Sequence, residues 1–222
     1  MKKRYFFAVF AVLVALCMLF TACSEQTTNN ADKKQSIDYL VLVNKQHKLP
    51  DNWEDIVELE DETDANGNPL KVEKEALKNF YELRNELLKE DIEIDLDSCY
   101  RSVEEQQNIW DEFTEQYGID YVKKYVAVPG YSEHHTGLAI DICLIIEGTV
   151  INDNDQMIAE KERFARVHTK LADYGFILRY MEGKEDITGY GYEPWHLRYV
   201  GDAKIAREIT SKGITLEEYL NK

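Results

Sequence analysis

Two short stretches alternate large apolar residues with small or polar ones, and they constrain the fold more than any other part of the sequence. Ile92-Glu93-Ile94-Asp95-Leu96-Asp97 alternates strictly, and Leu138-Ala139-Ile140-Asp141-Ile142 puts Leu138, Ile140 and Ile142 on one face, Ala139 and Asp141 on the other. A period of two belongs to a strand with one buried face. Each stretch therefore predicts a strand whose second face is free to carry chemistry. The first runs directly into Ser98-Cys99-Tyr100-Arg101.

The other elements are read around these two. Residues 74–89 space Leu77, Phe80, Tyr81, Leu87 and Leu88 as an amphipathic helix does. Ser102 and Glu105 form a capping-box pair that opens a helix reaching about Tyr117. Arg101 then stands at a strand-to-helix junction, where helix amides and a guanidinium together favour an anion. Residues 38–44 (DYLVLVN) read as a strand, with turn signals after it at Pro50 and at Asn66-Gly67-Asn68-Pro69. Residues 160–174 read as a helix, 176–180 and 195–200 as strands, and the last twenty residues as short closing helices. Helices and strands mix without βαβ alternation, so the expected class is α+β with a mostly antiparallel sheet and flanking helices.

The chain has 222 residues, 44% of them hydrophobic, enough for one domain with a real core. Its formal charge of −16 makes nucleic acid and anionic lipid poor partners. The basic start Met1-Lys2-Lys3-Arg4 precedes an uncharged apolar run over residues 5–20, short of the roughly 20 residues needed to span a bilayer. The run ends in Leu19-Phe20-Thr21-Ala22-Cys23, which resembles the lipobox of bacterial lipoproteins, with Phe20 where that pattern prefers leucine. The resemblance implies a signal peptide over 1–22 and lipidation of Cys23, hence an anchor instead of a span. An uncleaved helix or an ordinary secretory signal is the alternative. Residues 24–36 are polar and aperiodic and read as a tether, so the folded domain is expected over residues 38–222.

Catalytic zinc takes three protein ligands of nitrogen or oxygen type, keeps one position open and works beside a carboxylate that can accept a proton. His134 lies seven residues before Asp141, with Gly137 permitting a turn between them, and His196 follows Glu193 by three. His47 and His168 read as structural. His135 is read as a supporting or solvent-facing residue, with ligation its alternative. HExxH, GxSxG and phosphate-cradling patterns are absent from the sequence.

Ser132-Glu133-His134-His135-Thr136-Gly137-Leu138-Ala139-Ile140-Asp141 fits an SxHxxGxAxD pattern and Glu193-Pro194-Trp195-His196 an ExxH pattern. Together with Tyr100-Arg101-Ser102 and Gln106, these blocks resemble the VanY-type D-alanyl-D-alanine carboxypeptidases, zinc enzymes with a Hedgehog/lysostaphin-like fold. The resemblance implies one zinc ion on His134, Asp141 and His196, with Glu193 as general base and Arg101 steadying the carbonyl oxygen. It implies substrate contacts at Gln106, Ser132 and Tyr180. His135 stands where relatives often have glutamine.

The implied activity is removal of the C-terminal D-Ala from peptidoglycan stem peptides by a monomer anchored at the extracytoplasmic face of a bacterial membrane. An L,D-carboxypeptidase acting on tetrapeptide stems and a non-catalytic wall-binding module are the rivals. Outside the cell a Cys99–Cys143 disulfide is permitted, two buried free thiols being the plainer alternative.

Overall fold

The structure is a computed structural model that describes residues 36–222. The expected signal peptide, Cys23 and nearly all of the expected tether lie outside the described residues. Among the described residues, no helix is long and apolar enough to cross a membrane.

In chain order, helix α1 (Trp53–Ile56) leads to a hairpin of β1 (Leu59–Thr63) and β2 (Pro69–Glu73), then to α2 (Lys74–Leu88) and β3 (Glu93–Ser98). Helices α3 (Val103–Tyr117) and α4 (Ile119–Tyr125) precede β4 (Ala139–Ile146) and β5 (Thr149–Ile151). Helices α5 (Asn154–Ala159) and α6 (Lys161–Leu171), β6 (Phe176–Leu178), α7 (Glu185–Thr188) and β7 (His196–Tyr199) follow, and α8 (Ala203–Lys212) and α9 (Leu216–Leu220) close the chain. The main sheet runs β3-β4-β7-β6 with β5 added beside β4, and every described strand pairing is antiparallel. The α+β class expected from the sequence is the class observed.

Both alternating stretches are the strands they predict. Ile94, Leu96, Ile140, Ile142 and Leu144 are buried and join one core with Phe80, Leu83 and Leu87 of α2 and Phe164 and Val167 of α6. Each such side chain contributes about 1.5–3 kcal/mol when fully buried, so this face fixes the register. Slipping β4 by one residue would turn Asp141 into the core. A smaller cluster of Leu42, Ile177, Val200, Ala206, Ile209 and Leu216 packs under the last two helices.

One expectation changes. Residues 38–44 are buried at Val41, Leu42 and Val43 but form no strand, only an isolated bridge from Asn44 to His47. The carbonyls of Tyr39 and Val41 accept from Arg198 instead of from a neighbouring strand (3.0 and 2.8 Å). The turn at Asn66-Gly67-Asn68-Pro69 joins β1 to β2, and Asp64 accepts from the backbone amides of Asn66 and Asn68 there. Cys99 and Cys143 are free, buried thiols, and burial, then the nearby carboxylates, pushes the Cys143 thiol up to about 12.

Candidate active site

Register assembles the site. Asp141 of β4 lies opposite His196 of β7 on one side and Ser98 of β3 on the other, where β3 bulges between Leu96 and Ser98. His134 comes from a single 3-10 turn, Glu133–Thr136, capped by Ser132, whose hydroxyl accepts from the His134 amide. Gly137 ends that turn at φ +71°, and a Cβ there would meet Leu59 at 2.7 Å and the Glu73 amide nitrogen at 3.3 Å. Only glycine fits both the backbone and the space. The Trp53 indole donates to the Thr136 carbonyl and pins the turn from below (3.0 Å).

Three ligand atoms converge. His134 Nε2 is 3.2 Å from Asp141 Oδ2, and His196 Nδ1 is 2.9 Å from Asp141 Oδ1. One donor atom from each of the three lies within 4.8 Å of the other two. A zinc tetrahedron with bonds of about 2.0–2.1 Å has edges of roughly 3.3 Å, so the spacing suits that ion. The His134 Nδ1–H donates to the Cys99 carbonyl (2.6 Å), which leaves the Nε2 lone pair facing the cluster.

Electrostatics ask for a cation here. Asp141 Oδ1 is a buried oxygen without a hydrogen-bond partner despite its closeness to His196. Burial raises the Asp141 pKa, but His134 and His196 outweigh it and hold the carboxylate well below its usual range. Burial likewise lowers His196, yet Asp141 and Glu133 lift it to about 10. The carboxylates thus hold a proton on His196 where a metal can take its place. The donor set fits zinc.

Glu193 stands beside the cluster, with Oε2 3.8 Å from His196 Nδ1. Its amide donates to the Tyr180 carbonyl, and its carbonyl accepts from the His196 amide, so the turn between them fixes both side chains. Burial first, then the repulsion of Asp141 and Glu133, raises its carboxyl to about 7 against the pull of His196. A base near neutrality is the useful value for moving protons at physiological pH.

Arg101 reaches the cleft from the junction before α3, whose capping box of Ser102 and Glu105 is present as the sequence predicts. Its guanidinium donates to Gln106 Oε1 (2.9 Å) and to Ser98 Oγ (3.1 Å). Gln106 also donates to the Ala127 carbonyl (2.8 Å), so its amide braces Arg101. The Tyr180 ring lies 4.6 Å from the His196 ring. Arg101, Gln106, Ser132, His134, Asp141, Tyr180, Glu193 and His196 all line one cavity of about 370 Å³. Arg101 also borders a second cavity of about 720 Å³, walled by the β1–β2 hairpin and the start of α3.

His135 is not a ligand in this arrangement. It is buried, its Nδ1–H donates to the Arg101 carbonyl (2.6 Å), and its Nε2 accepts from the Gly130 amide (3.0 Å). Both nitrogens are occupied, so it supports the loop carrying Arg101. His168 pairs with the Pro194 carbonyl and His47 with Asn44, the structural roles read from the sequence.

Sequence reasoning missed Glu133, Arg179, Arg198 and Glu217, four buried charges behind His196. The available signal was a charge inside each of two apolar strand runs, Phe176-Ile177-Leu178-Arg179 and Leu197-Arg198-Tyr199.

A family model described as VanY, D-alanyl-D-alanine carboxypeptidase, matches residues 69–202, well over half of the chain. YodJ of Bacillus subtilis (strain 168), named as a carboxypeptidase, is 41% identical over 82% of this chain and 67% of its own length. The bifunctional D-Ala-D-Ala dipeptidase and carboxypeptidase VanXYC of Enterococcus gallinarum is 42% identical over 54% of this chain and 62% of its own. The chain thus spans about two thirds of the length of these relatives. Among solved structures, a vancomycin-resistance D,D-pentapeptidase VanY in complex with Zn(II) matches with TM-score 0.67 and 32% identity, covering 83% of this chain and 99% of that one. The LD-carboxypeptidase LdcB matches with TM-score 0.72 and 37% identity, covering 85% and 90%.

Proposed function

The chain belongs to the VanY family of D-alanyl-D-alanine carboxypeptidases, and from that premise we propose that it is a zinc D,D-carboxypeptidase removing the C-terminal D-Ala from peptidoglycan stem peptides. The observation that carries this reading is the convergence of His134 Nε2, Asp141 and His196 Nδ1 beside a Glu193 carboxyl raised to about 7. His134, Asp141 and His196 would hold the ion, which when bound supplies Lewis acidity and a water of lowered pKa.

Glu193 takes a proton from the attacking water and passes it to the departing amino group of D-Ala as the C–N bond breaks. Arg101, held by Ser98 and Gln106, offers a cationic donor to the carbonyl oxygen as it gains negative charge. Ser132 and Tyr180 line the same cavity and are proposed to contact the peptide. The rest of the stem is proposed to extend past Arg101 into the larger cavity.

The second reading, cleavage of the L,D bond of tetrapeptide stems, is favoured by the likeness to LdcB. Incubation of the purified protein with pentapeptide and tetrapeptide stems, with mass analysis of the products, separates the two. Release of one D-Ala from the pentapeptide is expected; release from the tetrapeptide alone would establish the L,D reading.

The same proposal places the enzyme, as a monomer, on the extracytoplasmic face of a bacterial membrane through a lipid on Cys23. The support is the basic start, the short apolar run and the lipobox-like ending. A Cys23→Ser variant should leave the membrane fraction. Its retention there would overturn the anchor.

A further inference from the structure

We propose that Glu133 is a positioning residue: its carboxylate accepts the Nε2 proton of His196, so that Nδ1 keeps its lone pair for the metal, and a buried four-charge network holds that carboxylate in place. The inference rests on the zinc reading for the identity of the ion and on nothing in the substrate assignment. Glu133 directly precedes the ligand His134 and reaches the other histidine from behind, with Oε2 3.4 Å from His196 Nε2. Its other oxygen, Oε1, accepts from Arg179 Nε (2.7 Å) and from Arg198 Nη1 (2.8 Å). Two guanidiniums on Oε1 leave Oε2 as the oxygen free for the imidazole.

Those guanidiniums are themselves fixed. Arg179 forks onto Glu217 of α9 with bonds of 2.9 and 2.5 Å, and Glu217 also accepts from Asn44 (3.0 Å). Arg198 also donates from Nε to the Tyr199 carbonyl and from Nη2 to the carbonyls of Tyr39 and Val41. Arg179, Arg198 and Glu133 have fully buried side chains, and Glu217 is nearly so. Burying four charges is a poor route to stability, because desolvation offsets most of the attraction. Here the arrangement has a definite product, one carboxylate oxygen aimed at one ring nitrogen. A carboxylate on the outer nitrogen of a ligating histidine sets the tautomer and orients the ring.

The tautomer is the point at risk. His196 Nδ1 already faces Asp141 at 2.9 Å, and a proton placed on Nδ1 would be donated to Asp141 and would close the ligand position. Glu133→Gln creates that danger with almost no change of shape. The two guanidiniums would claim the amide oxygen, the amide NH2 would turn to Nε2, and Nε2 would have to accept.

The test is zinc affinity, measured by competition with a chromophoric chelator on metal-free protein, alongside the melting curve of the same sample. E133Q should fold and bind zinc roughly 10–100-fold more weakly. A merely structural role would lower the melting temperature and leave the affinity of folded protein unchanged, and that result would overturn the proposal. If E133Q does not fold, E133D keeps the charge but draws the carboxylate back from Nε2 by one methylene, and parental zinc affinity there would overturn it equally. The parent alone supplies a third reading. A long-range proton–nitrogen spectrum of the zinc-loaded protein should place the His196 proton on Nε2, and a proton on Nδ1 would refute the assignment whatever the variants do. No substrate enters these measurements, so failure of the D,D assignment leaves them intact.

Discussion

On one face of β4, Ile140, Ile142 and Leu144 are fully buried against other apolar side chains, whereas on the opposite face Asp141 stands among two imidazoles with one oxygen unpaired. The same eight residues of chain obey two different rules. The apolar face needs only volume and correct register, and each residue on it stabilises the fold. The polar face gathers a carboxylate and two imidazoles whose charges balance when a proton or a metal cation sits among them, and the charges behind it cost desolvation. The first face positions the second: the register that buries Ile140 against the core puts Asp141 opposite His196.

Breaking the polar face should damage catalysis without damaging the fold. Glu193→Ala is expected to reduce kcat/KM on stem peptide by roughly 10²–10⁴-fold, the usual range for a lost general base. Zinc content should stay unchanged, because Glu193 is not among the three converging ligands. Parental turnover in E193A would refute the base assignment.

Breaking the apolar face should do the opposite. Ile142→Ala removes a fully buried side chain from the main core and should cost about 2–5 kcal/mol by urea unfolding. Zinc affinity of the protein that remains folded should hold. A loss below about 1 kcal/mol would mean that the site, rather than the core, fixes the register of β4.

A smaller effect joins the two faces through pH. Glu193 is raised from 4.5 to about 7 in the metal-free protein, so between these values the folded state binds more protons than the unfolded one. Stability from this group therefore falls as pH rises from 4.5 to 7. Glu193→Gln should melt above the parent at pH 7.5, with the gap closing toward pH 4.5. A zinc ion beside Glu193 pulls its pKa down, so the acid limb of kcat/KM should lie between 4.5 and 7; activity flat across that window would exclude Glu193 as its source. The smallest effect is expected far from both faces. Lys212 and Glu208 form an exposed pair on α8, and Lys212→Ala should leave the urea unfolding midpoint unchanged.

Much of the polar face was readable because its residues sit in short, rigid local frames. Gly137 after His134 and the three-residue step from Glu193 to His196 each constrain a few bonds, and the capping box placed Arg101. The β1–β2 hairpin was not readable as strands. Its two arms, Leu59-Glu60-Asp61-Glu62-Thr63 and Pro69-Leu70-Lys71-Val72-Glu73, bury only Val72 and Glu73 fully and give no clean period of two. Residues 38–44 taught the reverse. Their apolar character signalled burial correctly, but the backbone partners of Tyr39 and Val41 belong to a distant arginine that no local pattern reveals. Glu133 stayed hidden for a similar reason, since a lone carboxylate in a polar motif looks like surface until Arg179, just past β6, and Arg198 of β7 arrive.

Metal content of the purified protein tests the central claim most directly. Elemental analysis after dialysis at pH 7.5 should find one zinc per chain in the parent, and much less in Asp141→Asn at unchanged fold. A folded parent that holds no zinc and gains none on incubation with the metal would contradict the account and favour a wall-binding module that does no chemistry.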